Sequence, residues 1–156
     1  MAFADDLLAQ AGILANLDKK RPRQASLRRA VSTAYYALFH LLTNAAVSNW
    51  KQARLRADLA RGFEHRKMYQ TCNGTRNKQF PGANQTSGQH LRLVAETFVQ
   101  LQALRNLADY DNSRRWTKTQ VRGSITPASA AFDSWRAVRK ETIAEDFLLR
   151  LLIPER

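Results

Sequence analysis

The feature that most constrains this chain is a helical spacing of apolar residues that runs almost from end to end, with no stretch that alternates apolar and polar residues as a half-buried strand does. From Gln24 to about Asn49, Leu27, Ala30, Val31, Ala34, Leu38, Leu41, Leu42 and Ala45 recur at three- and four-residue intervals, the stripe of a core-facing helix. A first helix is expected over Ala2–Leu17, ended by the DKKRPR run. An arginine-rich amphipathic third is expected over Gln52–Thr71. The Gly, Asn, Thr and Pro content of residues 72–88 predicts a long loop. A fourth helix should begin near Ser87 as N-cap and reach Asp111, with Leu91, Val94, Phe98, Leu101, Leu104 and Ala108 inward. After the polar run NSRRWTKTQVRGSI, Thr126 as N-cap and Pro127 at the first helical position predict a fifth helix to about Leu152. The fold class that follows is all-α, a single-domain antiparallel up-down bundle of four long helices with one shorter companion. Pairing of two copies face to face, as a homodimer, is expected of such a bundle.

Charge narrows the function. The 156 residues carry 25 Lys+Arg against 13 Asp+Glu, a net +12, and arginines outnumber lysines 18 to 7. The excess is clustered: six bases and no acid in residues 19–29, nine bases and two acids in 51–92, four bases and no acid in 112–125. Such a field attracts polyanions, RNA or DNA foremost, and the planar guanidinium suits phosphates and bases. One cysteine, Cys72, permits no internal disulfide or cysteine-built zinc site, and a reducing cytoplasm is the expected setting. No apolar run approaches the ~20 residues that span a bilayer, and Asp5 and Asp6 stand where an export signal carries Lys or Arg. Three scattered histidines give no metal spacing, and no phosphate-binding glycine loop or Ser-His-Asp set is present, so neither a metal nor a cofactor is expected.

Two segments carry candidate chemistry. On the second helix Arg29, Ser32, Tyr36, His40 and Thr43 fall on one face, flanked by Tyr35 and Phe39; a solvent face would carry Glu, Lys and Gln instead. On the fourth, Arg105 lies along the apolar stripe, with Asn106 beside it and Asp109 at the i+4 position that allows an ion pair. An arginine on a core stripe costs desolvation unless it is paired or opens onto a wet cleft. Arg114, Arg115 and Lys118 surround Trp116, whose ring either stacks on a base or folds back as a lid on the bundle end. Phe80 in the other loop has the same two readings. His65, within EHRK, reads as surface, and His90 lies some 15 residues, about 22 Å along a helix, from Arg105.

The run LRRAVSTAYYALFHLL together with ALRNLADYD resembles the HEPN superfamily, in particular small stand-alone bacterial and archaeal proteins with AYYAxFH- and RxxADY-type segments. The resemblance covers most of residues 24–150. It implies an α-helical up-down bundle that dimerises and associates with RNA or nucleotides. Many members are metal-independent ribonucleases of toxin–antitoxin, CRISPR and other defence systems, often encoded beside a minimal nucleotidyltransferase. Arg105 matches the family arginine and Asn106 the polar residue after it. The family histidine would stand at 110–112, where this chain has Tyr110, Asp111 and Asn112. Three functions are therefore expected in order: an RNA- or nucleotide-binding regulatory protein without turnover; a divergent ribonuclease using Arg105 with His40 or Tyr110 for proton transfer; and an interaction subunit for an acidic partner such as an antitoxin or nucleotidyltransferase.

Overall fold

The computed structural model describes residues 2–156. Among them are seven α-helices and no strand: α1 Ala2–Ala15, α2 Gln24–Ser48, α3 Arg56–Ala60, α4 His65–Thr75, α5 Gln85–Tyr110, α6 Lys118–Val138 and α7 Thr142–Leu152. None is long and apolar enough to cross a membrane. The long helices α1, α2, α5 and α6 form an up-down bundle, as contacts at both ends show. The start of α1 meets the end of α2 through Phe3 and His40. Arg28, early in α2, reaches the end of α5, whereas Tyr35, further along, packs on Phe98. His90, early in α5, bonds Ser134 late in α6. Arg136, late in α6, pairs with Asp5 at the start of α1, and Arg122 reaches Asn16 near its end. The main core gathers Tyr35, Leu38, Leu42, Phe98, Leu101 and Phe132; a smaller one at the other end gathers Leu27, Val31, Ala108, Trp116 and Val121.

Four boundaries depart from the sequence expectation. The third helix is not continuous: a 3₁₀ turn at Ala53–Leu55 and the short α3 precede a break at Gly62–Glu64, where Phe63 is buried, and α4 sets off anew at His65. In α4, burial of Met68 and Cys72 carries the helix through Asn73 and Gly74, poor helix formers, so the 72–88 loop shrinks. Ser87 lies inside the first turn of α5 rather than capping it. The fifth helix begins at Thr117, not Thr126. The Thr117 hydroxyl accepts from the Gln120 backbone N–H while the Gln120 side chain accepts from Thr117 N–H, a reciprocal capping box. That cap and the buried Val121, Ser124, Ala128, Ala131 and Trp135 hold the helix together across Pro127, which forfeits one hydrogen bond.

The same fifth helix breaks after Val138. Continuing its buried stripe would turn Thr142, Glu145 and Leu149 inward, but the apolar residues Ala144, Phe147, Leu148 and Leu151 lie on roughly the opposite side of that cylinder. A turn closed by Glu141 N–H on the Val138 carbonyl (2.8 Å) redirects the chain, and α7 buries the second set against α4 and the bundle.

Two further contacts fix the geometry around the bundle. Gly88 lets Phe80 lie directly on α5: a Cβ at 88 would sit 2.3 Å from the Phe80 Cβ. Phe80 therefore packs half-buried against the core. At the other end Arg28 serves as a C-terminal cap for α5. Its Nη1 donates to the carbonyls of Ala108 (2.8 Å) and Asp111 (2.9 Å), and its Nη2 to that of Arg114, meeting acceptors that the helix end leaves open.

Arg28→Ala should cost about 1.5–3 kcal/mol, the range for hydrogen bonds to a charged donor, whereas exposed Arg29→Ala should stay within about 0.5 kcal/mol; urea unfolding of both reads the difference. Gly88→Ala should destabilise by about 1–3 kcal/mol through overpacking, and Phe80→Ala in the same chain should recover most of it.

Candidate functional site: a buried arginine among tyrosines and histidines

The inward stripe of α5 carries Leu101, Arg105 and Ala108 towards α2, and Arg105 is only 9% exposed. Its guanidinium carbon stands 5.0 Å from the centre of the Tyr35 ring and 5.7 Å from that of Tyr36, so two aromatic faces take up part of the charge. Its nearest carboxylate is Asp109, one turn on, at 3.8 Å from Nη1, too long for a tight pair. Asp109 also accepts from the Ser32 hydroxyl at 3.4 Å. The Arg105 Nε has no partner. The result is a cation mostly removed from water, with its hydrogen-bonding capacity only partly used.

An imidazole completes the group, and it comes from α4. The Tyr35 hydroxyl and His65 Nδ1 are 2.6 Å apart, and the His65 ring stacks on Phe39 at 4.4 Å between centres. His40 lies on the far side of the cluster, edge-on to Phe3 and Phe39 and 6.5 Å from Tyr36. Burial of the Tyr35 phenol pushes its pKa up well beyond the ordinary value, against the opposing pull of the Arg105 charge. Both histidines are pushed the other way: His40 by burial, and His65 by burial first and then by the charges of Arg105 and His40. At neutral pH the site therefore holds a guanidinium, a protonated phenol and two neutral imidazoles. Among the described residues no three His, Cys, Asp or Glu side chains converge as a metal set.

The structure thus brings together Ser32, Tyr36, Arg105 and Asp109 from the sequence candidates, with His40 at the margin. Tyr110 is 74% exposed at the end of α5, outside the cluster around Arg105. Arg29, Asn106 and Arg115 are exposed on the outer surface. Lys118 is directed to the Lys19 carbonyl at 3.4 Å. Trp116 is 3% exposed, and Arg114 covers its ring at 4.6 Å. The Gln24 side chain brackets its backbone, donating to the carbonyl (2.9 Å) and accepting from the N–H (2.8 Å). The ring is the lid of the bundle end and offers no free face to a base, so the stacking reading of Trp116 is set aside. His90 is engaged with Ser134 at 3.1 Å.

Sequence reasoning passed over His65 and Arg28. His65 read as one more residue of a charged helix; the clue was the apolar Phe63 after Gly62, which marks a helix start rather than a helix middle. Arg28 was discernible from spacing, since Gln24, Arg28, Ser32 and Tyr35 recur at helical intervals and all four contact α5 or the loop after it. No family model, curated protein or solved structure matches the chain in comparison.

The lowered histidine pKa values give a signed expectation. The folded state binds fewer protons than the unfolded chain near pH 6, so stability should be complete above the ordinary histidine value of ~6.5 and should fall as pH drops through the lower folded values. In ¹H–¹⁵N titration the His65 midpoint should lie below that reference, and Arg105→Ala should move it upward; a midpoint that stays put in the variant would separate the guanidinium from the imidazole.

Proposed function

We propose that this protein is an RNA- or nucleotide-associated binding and regulatory protein of the HEPN type, acting in a toxin–antitoxin or related defence setting as a homodimer, in which the Arg105 guanidinium receives a phosphate. One observation carries the reading. A guanidinium nine-tenths buried against two tyrosine rings keeps an unpartnered Nε and only a distant carboxylate. Such a group is costly to bury for stability alone, because replacing it with packed apolar side chains is often neutral or stabilising. An incoming phosphate oxygen would meet hydrogen-bonding capacity that Asp109 does not fill. The net +12 supplies the long-range attraction, with exposed Arg29 on α2 and exposed Arg115 in the loop that follows α5.

A second reading rests on the Tyr35–His65 contact. With Nδ1–H donated to the phenol oxygen, His65 Nε2 is left free to take a proton, and burial has already lowered the ring's pKa. In that reading His65, not Tyr110, removes the ribose 2′-OH proton. The 2′ oxygen bonds to phosphorus, the bond to the 5′ oxygen breaks, and the 5′ oxygen is protonated by the resulting imidazolium, with Arg105 holding the phosphorane charge.

The two readings share a binding test and divide on turnover. RNA affinity should fall with rising salt at a log–log slope of about −0.7 per phosphate neutralised on a single strand. Arg105→Gln should weaken binding without unfolding the chain. Salt-independent or undetectable affinity overturns the proposal. Incubation of the purified protein with total RNA in EDTA then decides turnover: cleavage lost in both Arg105→Ala and His65→Asn selects the ribonuclease, and intact RNA selects the binding protein.

A further inference from the structure

The α1 helix carries its apolar residues in an inverted order of size. Its inward positions, Ala4, Ala11 and Ala15, are buried alanines, which let the helix lie close on the bundle. Its large apolar side chains point the other way: Phe3, Ile13 and Leu17 are 54%, 57% and 50% exposed. The helical turn persists to Leu17, whose N–H bonds the Leu14 carbonyl at 3.4 Å. At 3.6 residues per turn Phe3, Gln10, Ile13 and Leu17 fall within about 80° of one another, with half-buried Leu7 and Leu14 along the edge. Exposed apolar residues scattered singly are ordinary, but three on one stripe of one helix mark an interaction face. A helix apolar on both sides is one whose second side is also covered.

Charge decides what covers it. Of the four bundle helices α1 alone carries no Lys or Arg. Residues 2–17 hold two acids and no base, in a chain of net +12. Asp5 is engaged by Arg136, and Asp6 is exposed. A nucleic-acid strand or an anionic membrane finds no cation on this stripe and meets a carboxylate at its start. A second copy of the chain is repelled over most of its surface, where cations would face cations, but not here. The ends of the stripe are also complementary. Exposed Lys19, Lys20 and Arg21 follow it, and none of the three side chains has an ion-pair partner among the described residues. Antiparallel pairing about a two-fold axis at Gln10 sets Phe3 of one copy on Leu17 of the other and Leu7 on Ile13, and brings Asp6 toward Lys19 and Lys20. Parallel pairing would put acid beside acid and base beside base.

We infer that the outer stripe of α1 is the face on which two copies of this chain pair, antiparallel about a two-fold axis at Gln10. This pairing gives a face to the homodimer of the proposed function and rests on that reading for nothing else; it holds whether or not Arg105 receives a phosphate. Phe3 stands edge-on to His40 at 5.0 Å, so the seam runs beside the margin of the Arg105 cluster.

Sedimentation equilibrium of the full chain tests it. The protein should dimerise, and should still do so in high salt, where exposed charge contacts are screened and RNA binding is lost. Ile13→Glu with Leu17→Glu, both at exposed positions and checked for helicity by circular dichroism, should weaken dimerisation by at least about tenfold. Asp6→Lys should weaken it as well, and adding Lys19→Glu and Lys20→Glu should restore it. Gln10→Cys should form an interchain disulfide under air oxidation, because a residue at the axis meets its own copy, whereas Leu93→Cys, exposed on α5, should not; Cys72 is buried and takes no part. A protein that stays monomeric at about 100 μM, a dimer untouched by the Ile13–Leu17 double variant, or a disulfide that forms no faster at 10 than at 93 overturns the inference. A monomeric protein whose binding to phosphatidylserine vesicles is lost in the same double variant assigns the stripe to a membrane and overturns it too. A dimer that depends on α1 while RNA affinity is undetectable upholds the pairing and overturns the phosphate reading of Arg105 alone.

Discussion

The burial of the Arg105 guanidinium among Tyr35, Tyr36 and Asp109 is the interaction around which the rest of the molecule is arranged. A charge at that depth needs aromatic faces on one side, a carboxylate within reach on the other, and a rigid wall to keep water from reaching all of it. The α2–α5 pairing supplies the first two. The third comes from α4, whose first residue closes the group by bringing His65 onto the Tyr35 hydroxyl. The break between α3 and α4 is thus more than a loop: a continuous helix over Gln52–Thr71 would not deliver an N-terminal histidine to that position. Phe63, buried at the break, is the anchor that directs α4 there.

The register that this arrangement requires is held from outside the site. Ser32, Tyr35 and Tyr36 meet Arg105 and Asp109 only if α2 and α5 do not slide, and a slip by one turn, about 5.4 Å, would separate them. Arg28 ties the start of α2 to the last carbonyls of α5, and Gln24 ties it to the backbone of Trp116. At the opposite end Gly88 admits Phe80 to α5 at a distance that no other residue at 88 would permit. Two of the chain's many cations, Arg28 and Arg114, are consumed in this clamping. The charge excess therefore has two populations: structural guanidiniums tied to carbonyls and rings, and exposed ones such as Arg29, Arg115, Arg139 and Lys140 that set the field.

The all-helical bundle and the course of its long helices were legible because burial follows one stripe per helix, and in α2 and α5 that stripe is unbroken. The face of Ser32 and Tyr36 and the inward placing of Arg105 were legible for the same reason: spacing alone decides them. The remaining errors share a physical cause. Thr126–Pro127 is a good local start signal, but Val121 and Ser124 were already buried upstream, and tertiary packing outweighs one missing hydrogen bond. The α6–α7 break was hidden by uninterrupted helix propensity, although the displaced phase of Ala144, Phe147, Leu148 and Leu151 recorded it. His65 was misplaced, and Trp116 was left with two readings of which the lid is the one observed, because their neighbours in sequence are cations while their neighbours in space are rings and carbonyls, and no local pattern reports the second set.

This difference between sequence neighbours and spatial neighbours bears on positions 110–112, where the HEPN resemblance would place a histidine and this chain has Tyr110, Asp111 and Asn112. At 110–112 the chain leaves the end of α5, and Asp111 is turned to its own loop, accepting from the Ser113 hydroxyl (2.6 Å) and backbone N–H (3.0 Å), which hold its carboxyl below the usual range. An imidazole placed there would belong to a helix end already closed by Arg28. His65 reaches the arginine from a different helix, through Tyr35, and does so inside the aromatic wall rather than at its rim. Half-buried between Phe39 and the Tyr35 hydroxyl, His65 has a held ring orientation and a pKa lowered by burial and by the Arg105 charge. Under the ribonuclease reading proposed above these are the properties of a positioned proton acceptor, and under the binding reading those of a fixed wall beside the Arg105 charge.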